Sequence, residues 1–227
     1  MDHTTFLASL PPADKADFTR VSDRAGLLHL AGHAGAILLV GALIAAQVTG
    51  WPLLLPLQGV LIVFLFTLEH EATHRTPFAS RWLNEAVRHV CGLLLMLPFL
   101  WFRYFHLAHH RWTNIAGLDP ELEGAKPATR TDWLRHVSGW PYWRGMAGVI
   151  WRLATGRERA GYLPEPALPR MAREARAMLA LYALAALSLV WSPVLLWVWV
   201  VPVILGQPVL RLYLLAEHGD CPQVADM

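Results

Sequence analysis

Residues 53–74 read LLLPLQGVLIVFLFTLEHEATH, an apolar run from Leu53 to Leu68 that passes directly into Glu69, His70, Glu71 and His74. Roughly 17–25 residues of helix cross a hydrocarbon layer, and this stretch reaches that length once its first polar residues are included. The two histidines stand at i and i+4, so a helix carries both on one face. The stretch therefore reads as a membrane helix that emerges into water with side chains suited to chemistry on its last turn.

The same pattern extends outward from it. Leu27 to Gln47 is a second apolar run, joined to the first through Gly50-Trp51-Pro52; Ala177 to Ser192 and Val194 to Leu210 form another pair, joined through Trp191-Ser192-Pro193. Short uncharged turns with Trp and Pro suit helical hairpins with aromatic residues at the interface. The expected fold is all-α: an integral membrane protein with four transmembrane helices in two hairpins and a cytoplasmic histidine-rich helical cap. Residues 1–227 are read as one such domain.

Composition agrees. With 55% hydrophobic residues, 16% charged and a mean hydropathy of +0.36, the chain is too apolar for an ordinary soluble domain. A net charge of +2 with no basic tract gives no nucleic-acid footprint. Cys91 and Cys221 stand in no metal or disulfide spacing. The N-terminal stretch before Arg24 is polar and acidic, unlike a cleaved leader.

Lys and Arg are absent between Arg24 and Arg75 and again between Arg176 and Arg211. By the positive-inside rule both hairpin tips face outward, so the N-terminus, the segment from Glu69 to Arg176 and the C-terminus are cytoplasmic. A further apolar segment, Val90 to Phe102, is short and contains Pro98, and reads as interfacial or re-entrant. From Arg111 to Arg173, Trp133, Trp140, Trp143 and Trp151 alternate with Arg135, Arg144 and Arg152. That pattern fits helices lying at the headgroups as well as it fits a cap packed on itself.

Of eleven histidines, five fall in two clusters, His70-x-x-x-His74 and His106-x-x-His109-His110. Each follows an apolar segment on the predicted cytoplasmic side, which points to metal ligation. Imidazole suits zinc, copper, nickel or iron. One zinc takes about three or four protein ligands, so five imidazoles favour two ions. His218, after the last apolar run, returns to the same side and is a further ligand candidate. Glu71, Asp119 and Glu217 could orient the imidazoles by accepting from their non-ligating nitrogens. His29 and His33 lie inside the first run, and read as neutral residues hydrogen-bonded to a neighbouring helix. His3, His89 and His136 are isolated and read as solvated or interfacial.

The two boxes, with Arg75-Thr76, Phe102-Arg103, Arg111-x-Thr113 and Asp119-Pro120-Glu121 around them, resemble the membrane fatty acid desaturase and hydroxylase superfamily. The resemblance runs from about Glu69 to the C-terminus and includes LYLLAEHGD at 212–220. It implies two non-haem irons held by histidines, dioxygen as co-substrate, a hydrophobic tunnel for a lipid acyl chain, and electrons from a ferredoxin- or cytochrome b5-like cytoplasmic donor. Desaturation is the reaction expected first; acyl hydroxylation and ketolation share the metal site. The family's third box, another His-x-x-His-His, does not occur before Met227. The expectation is a C-terminally truncated chain whose iron site is incomplete and inactive alone, unless a neighbouring chain completes it.

Two other classes compete. His70-Glu71-Ala-Thr-His74 also satisfies the His-Glu-x-x-His pattern of a membrane-embedded zinc metalloprotease, with Glu71 activating water, but this leaves the second cluster without a role. A non-enzymatic membrane metal carrier would place ligands near the bilayer midplane, whereas these clusters lie beyond the helix ends.

Overall fold

A computed structural model describes residues 3–124 and 127–218, and every regular element among them is helical. Two short helices, α1 (His3–Ser9) and α2 (Pro12–Phe18), precede α3 (Asp23–Ala45). Asp23 accepts the backbone N–H of Ser80 at 2.8 Å and also its hydroxyl, tying the start of α3 to the loop before α6 (Arg81–Leu95). The chain then turns through Gln47 and Gly50, both at positive φ, into α4 (Leu54–Val63) and α5 (Leu65–His74). At Phe64 the ladder is interrupted, and its carbonyl is taken by the Thr67 hydroxyl at 2.8 Å. Arg75, at φ 63°, ends α5 in a left-handed cap.

Among the described residues three helical stretches are long and apolar enough to cross a membrane: residues 12–45, 51–74 and 196–217. A fourth crossing arises only if α6 and α7 (Phe99–Trp112) count as one span, although they meet at 97°. Met96 in a left-handed conformation and Pro98 cause that bend. The geometry fits the expectation of a re-entrant or interfacial segment around Val90 to Phe102.

The apolar run Ala177 to Ser192, expected as a span, is not among the three. It forms the later part of α10 (Leu168–Ser188), whose first half carries Arg170, Arg173, Glu174 and Arg176. Two of these charges bind neighbouring helices: Arg176 Nε donates to the Ala154 carbonyl at 2.8 Å, and Glu174 accepts from Leu100 N–H at 3.0 Å. The helix is thus anchored at one end to α7 and to α9 (Trp140–Ala154). Between α7 and α9, a capping box of Thr129 and Asp132 starts α8 (Arg130–Val137). Trp133, Trp140 and Trp151 remain exposed on these helices.

A π-helical turn, Leu196–Val200, leads into α11 (Val201–His218), which packs along α4. Gly59 and Gly206 meet at the crossing: a Cβ on Gly59 would collide with the Pro202 carbonyl, and one on Gly206 with the backbone of Gly59. Gln58 reinforces the contact by donating to the Val198 carbonyl at 3.1 Å. Close approach through small residues is the usual way helices associate in lipid, where apolar burial gives little drive. Gly59→Val is expected to destabilise the protein by at least about 1–3 kcal/mol, as overpacking of a tight contact does. Thermal unfolding in detergent checks this; an unchanged midpoint would mean that the helices can separate freely.

The core gathers α5, α6, α7, α9 and α10 around Phe78, Phe99, Ile150, Leu153 and Met171, each at most 2% exposed. The spans, by contrast, present Leu38, Leu39, Leu53 and Ile204 outward. Such a continuous apolar exterior is stable against lipid and unfavourable against water.

Candidate metal centre

The bend between α6 and α7 decides the site, because it lays the end of α7 across the end of α5. Arg103, on α7, donates to the Thr73 carbonyl at 2.5 Å and so satisfies one of the last carbonyls of α5. His70 and His74 then face His106 and His110. Ring centroids are 4.3 Å apart for His70 and His106, 4.9 Å for His74 and His110, and 4.4 Å for His106 and His110. One nitrogen from each of the four lies within 4.8 Å of the others.

The detail of these contacts tests whether the residues fit a metal. His106 Nε2 lies 2.9 Å from His74 Nε2 and 2.9 Å from His110 Nε2. A neutral imidazole nitrogen carries either one proton or one lone pair, so His106 cannot make two good hydrogen bonds there. A cation among them would give every lone pair a partner, and neutral imidazole is the form that ligates. His106 is 4% exposed and stacks on Phe102 with centroids 5.3 Å apart, which shields that ring from water, while His74 and His110 lie on the open side of the group.

His109 has a different place. It is buried, and its Nδ1 donates to Asp119 Oδ1 at 2.9 Å, with Glu121 Oε2 at 3.7 Å. Its Nε2 is thereby the nitrogen that keeps a lone pair, as an outer carboxylate usually arranges for a ligand. Asp119 also accepts the N–H groups of Asn114 at 2.7 Å and Glu121 at 2.9 Å. Burial pushes its carboxyl up, but the bonds from His109, Asn114 and Glu121 outweigh that and hold it below its ordinary value. Glu71 accepts from His70 Nδ1 at 3.1 Å and from the Thr76 hydroxyl at 2.6 Å. Its carboxylate thus holds the His70 ring through Nδ1.

Of the residues expected at a site, the structure brings His70, His74, His106 and His110 together, with Glu71 and Asp119 as orienting partners. His109 stays outside that group of four. Glu217 is exposed and pairs with Tyr213. His218 ends α11, but its side chain lies outside the described residues, as do that of His3 and the segment after His218. His33 Nε2 donates to the Leu61 carbonyl at 2.7 Å, the neutral packed role expected of it. His89 pairs with Glu174 at 2.7 Å near the surface. Arg103, part of the Phe102-Arg103 pair that carries the resemblance before the second box, was not expected to cap the end of α5.

Beside the cradle lies a cavity of about 420 Å³, lined by Phe66, Trp101, Phe102, Phe105, Met146 and Leu214 among others. Phe66 and Phe102 separate it from the imidazoles: Phe66 is 6.3 Å from the His70 ring, and the two phenylalanines make an edge contact at 5.7 Å. Its volume is within the roughly 300–1,000 Å³ of small-molecule sites.

Comparison with known proteins adds the following. The sequence model of the fatty acid desaturase family matches residues 49–226. The chain is 33% identical over 124 residues to an sn-1 oleoyl-lipid 12-desaturase of Picosynechococcus sp., covering 50% of this chain and 35% of that protein. It is 26% identical over 102 residues to an sn-1 acyl-lipid omega-3 desaturase (ferredoxin) of Nostoc sp., covering 43% and 28%. With a Delta(12)-acyl-lipid-desaturase of Punica granatum it shares 26% over 100 residues, covering 44% and 26%. The matches thus span about a third or less of the length of these curated relatives. No solved structure matches.

Proposed function

Because this chain belongs to the fatty acid desaturase family, we propose that it serves the oxygen-dependent desaturation of a lipid acyl chain at a histidine-held pair of irons. The observation that carries this reading is the convergence of four imidazole nitrogens within 4.8 Å at two helix ends. In the proposal His70, His74, His106 and His110 hold metal, and His109 and His218 join them. Two irons with dioxygen would supply the oxidising power that an unactivated C–H bond requires and that no side chain possesses.

The chain's own residues bind, orient and exclude water. Asp119 and Glu71 fix the rings of His109 and His70. Phe66, Phe102 and Phe105 offer an apolar wall along which an acyl chain can lie. Phe102, stacked on His106, keeps bulk water from the buried side of the cradle. Orientation follows the charge pattern: with both termini cytoplasmic, the cradle faces a soluble electron donor, ferredoxin- or cytochrome b5-like, and the ferredoxin in the name of the Nostoc relative supports the former.

The test combines metal content with product. The full chain, supplied with iron, reduced ferredoxin and an acyl lipid, is expected to bind iron in preference to zinc and to introduce a double bond detected by gas chromatography. Glu71→Gln should leave most of the bound iron in place. Zinc as the bound metal, with peptide cleavage lost in that variant, would replace this reading by the metalloprotease.

A further inference from the structure

The cavity beside the histidines is lined mainly by apolar and aromatic side chains, with Glu121, His136 and, from α11, Arg211 among its ionisable members. An arginine inside a membrane-crossing helix is costly, and its charge is normally met by an acid or by carbonyls. Here neither occurs: among the described residues its Nε has no hydrogen-bond partner, and no carboxylate forms an ion pair with the guanidinium. Its one recorded contact is with the face of Tyr142, 4.5 Å from the ring centroid. The Tyr142 hydroxyl is already committed to the Leu95 carbonyl at 2.8 Å, so it does not turn towards the cation. Glu121, the carboxylate in the same lining, lies 3.7 Å from His109 Nδ1 and attracts Arg211 from a distance without forming an ion pair with it. A cation held by an aromatic face, with donors left over, in a cavity otherwise suited to hydrocarbon, has the makings of an amphiphile site.

We propose that Arg211 anchors the anionic head of the acyl substrate, a carboxylate or a phosphate, while the chain runs along Phe66 and Phe102 towards the histidines. The inference rests on the acyl-chain reading above and goes beyond it by assigning the substrate a charged head and that head a residue. Guanidinium donates to such oxygens in pairs, and the planar cation over Tyr142 is already oriented for it.

Fluorescence titration of the detergent-solubilised full chain tests this without turnover. The probes are cis-parinaric acid, its methyl ester, and lysophosphatidic acid as competitor. The acid is expected to bind about tenfold or more tightly than the ester, the scale of a charge-assisted hydrogen bond. Arg211→Gln should erase that preference by weakening the acid alone, and Arg211→Lys should keep part of it. If lysophosphatidic acid displaces the probe from the native chain better than free fatty acid does, and loses that advantage in Arg211→Gln, the head is a phosphate; the converse identifies a carboxylate. Equal binding of acid and ester, or a preference that survives Arg211→Gln, overturns the anchor while leaving the acyl cavity intact. If neither probe binds, the acyl cavity itself falls, and the anchor with it.

Discussion

His106→Ala is expected to abolish desaturation and to deplete bound iron more severely than any change outside the cradle. The reason is positional. His106 is the ring whose Nε2 approaches both His74 and His110 at 2.9 Å, and it comes from the opposite helix to His70 and His74. Without it the α5 pair and the α7 pair lose their common member. Removing an outer partner of a metal ligand typically costs about 10–100-fold in affinity or activity; removing the central ligand should exceed that. His106→Gln, closer in size, separates lost ligation from a hole beneath Phe102. Iron per chain by mass spectrometry and unsaturated product are the readouts. Full iron in either variant would show that the four-histidine convergence is not the binding site.

Asp119→Ala ranks second, and it should act on stability and metal together. The carboxylate is 2% exposed and accepts from His109 Nδ1 and from two backbone N–H groups. Alanine strands three donors at a cost of about 1–3 kcal/mol for each that stays buried, and it frees the His109 ring to turn or to change tautomer. The expected result is a clear loss of thermal stability with iron affinity lower by about 10–100-fold. The acid limb offers a finer check. Since the folded carboxyl titrates below its ordinary value of 3.8, its contribution is present above that pH and disappears as pH falls through the folded value. Asp119→Asn should therefore lose stability near neutrality and show a shallower further decline below about pH 4. An unaltered acid limb would mean that Asp119 is not a stabilising anion.

Much of this was readable from spacing. Histidines at i and i+4 on α5, and at 106 and 110 on α7, share a face because a helix turns about 100° per residue. The same arithmetic separates His109 from His110 by about 100°, which is why the second box divides: one member points to the cradle and another to Asp119. Pro98 marked the break in Val90 to Phe102, though nothing in the local sequence specified its angle. The element whose reading as a span finds no support is Ala177 to Ser192. An apolar window does not reveal that the charged residues before it belong to the same helix, nor that Arg176 and Glu174 are satisfied by α9 and α7. Arg103 was hidden for a similar reason, since its partner is a carbonyl thirty positions away. Arg211, too, reads in sequence as an ordinary cytoplasmic flank, and only its place in the cavity over the Tyr142 ring, with its Nε unpartnered, sets it apart.

The glycine crossing of α4 and α11 acquires another meaning once both helices are followed to their ends. One leads through α5 to His70, the other to Arg211. With no side chain between them at Gly59 and Gly206, the two backbones meet at a common point that admits no added Cβ. If Arg211 anchors the substrate head and the histidines hold the irons, as proposed, the interval between them is a property of the scaffold, a ruler laid along the substrate. Regioselectivity would accordingly be written in the pitch and phase of two helices, and a single added turn above the crossing would move the mark to a different carbon.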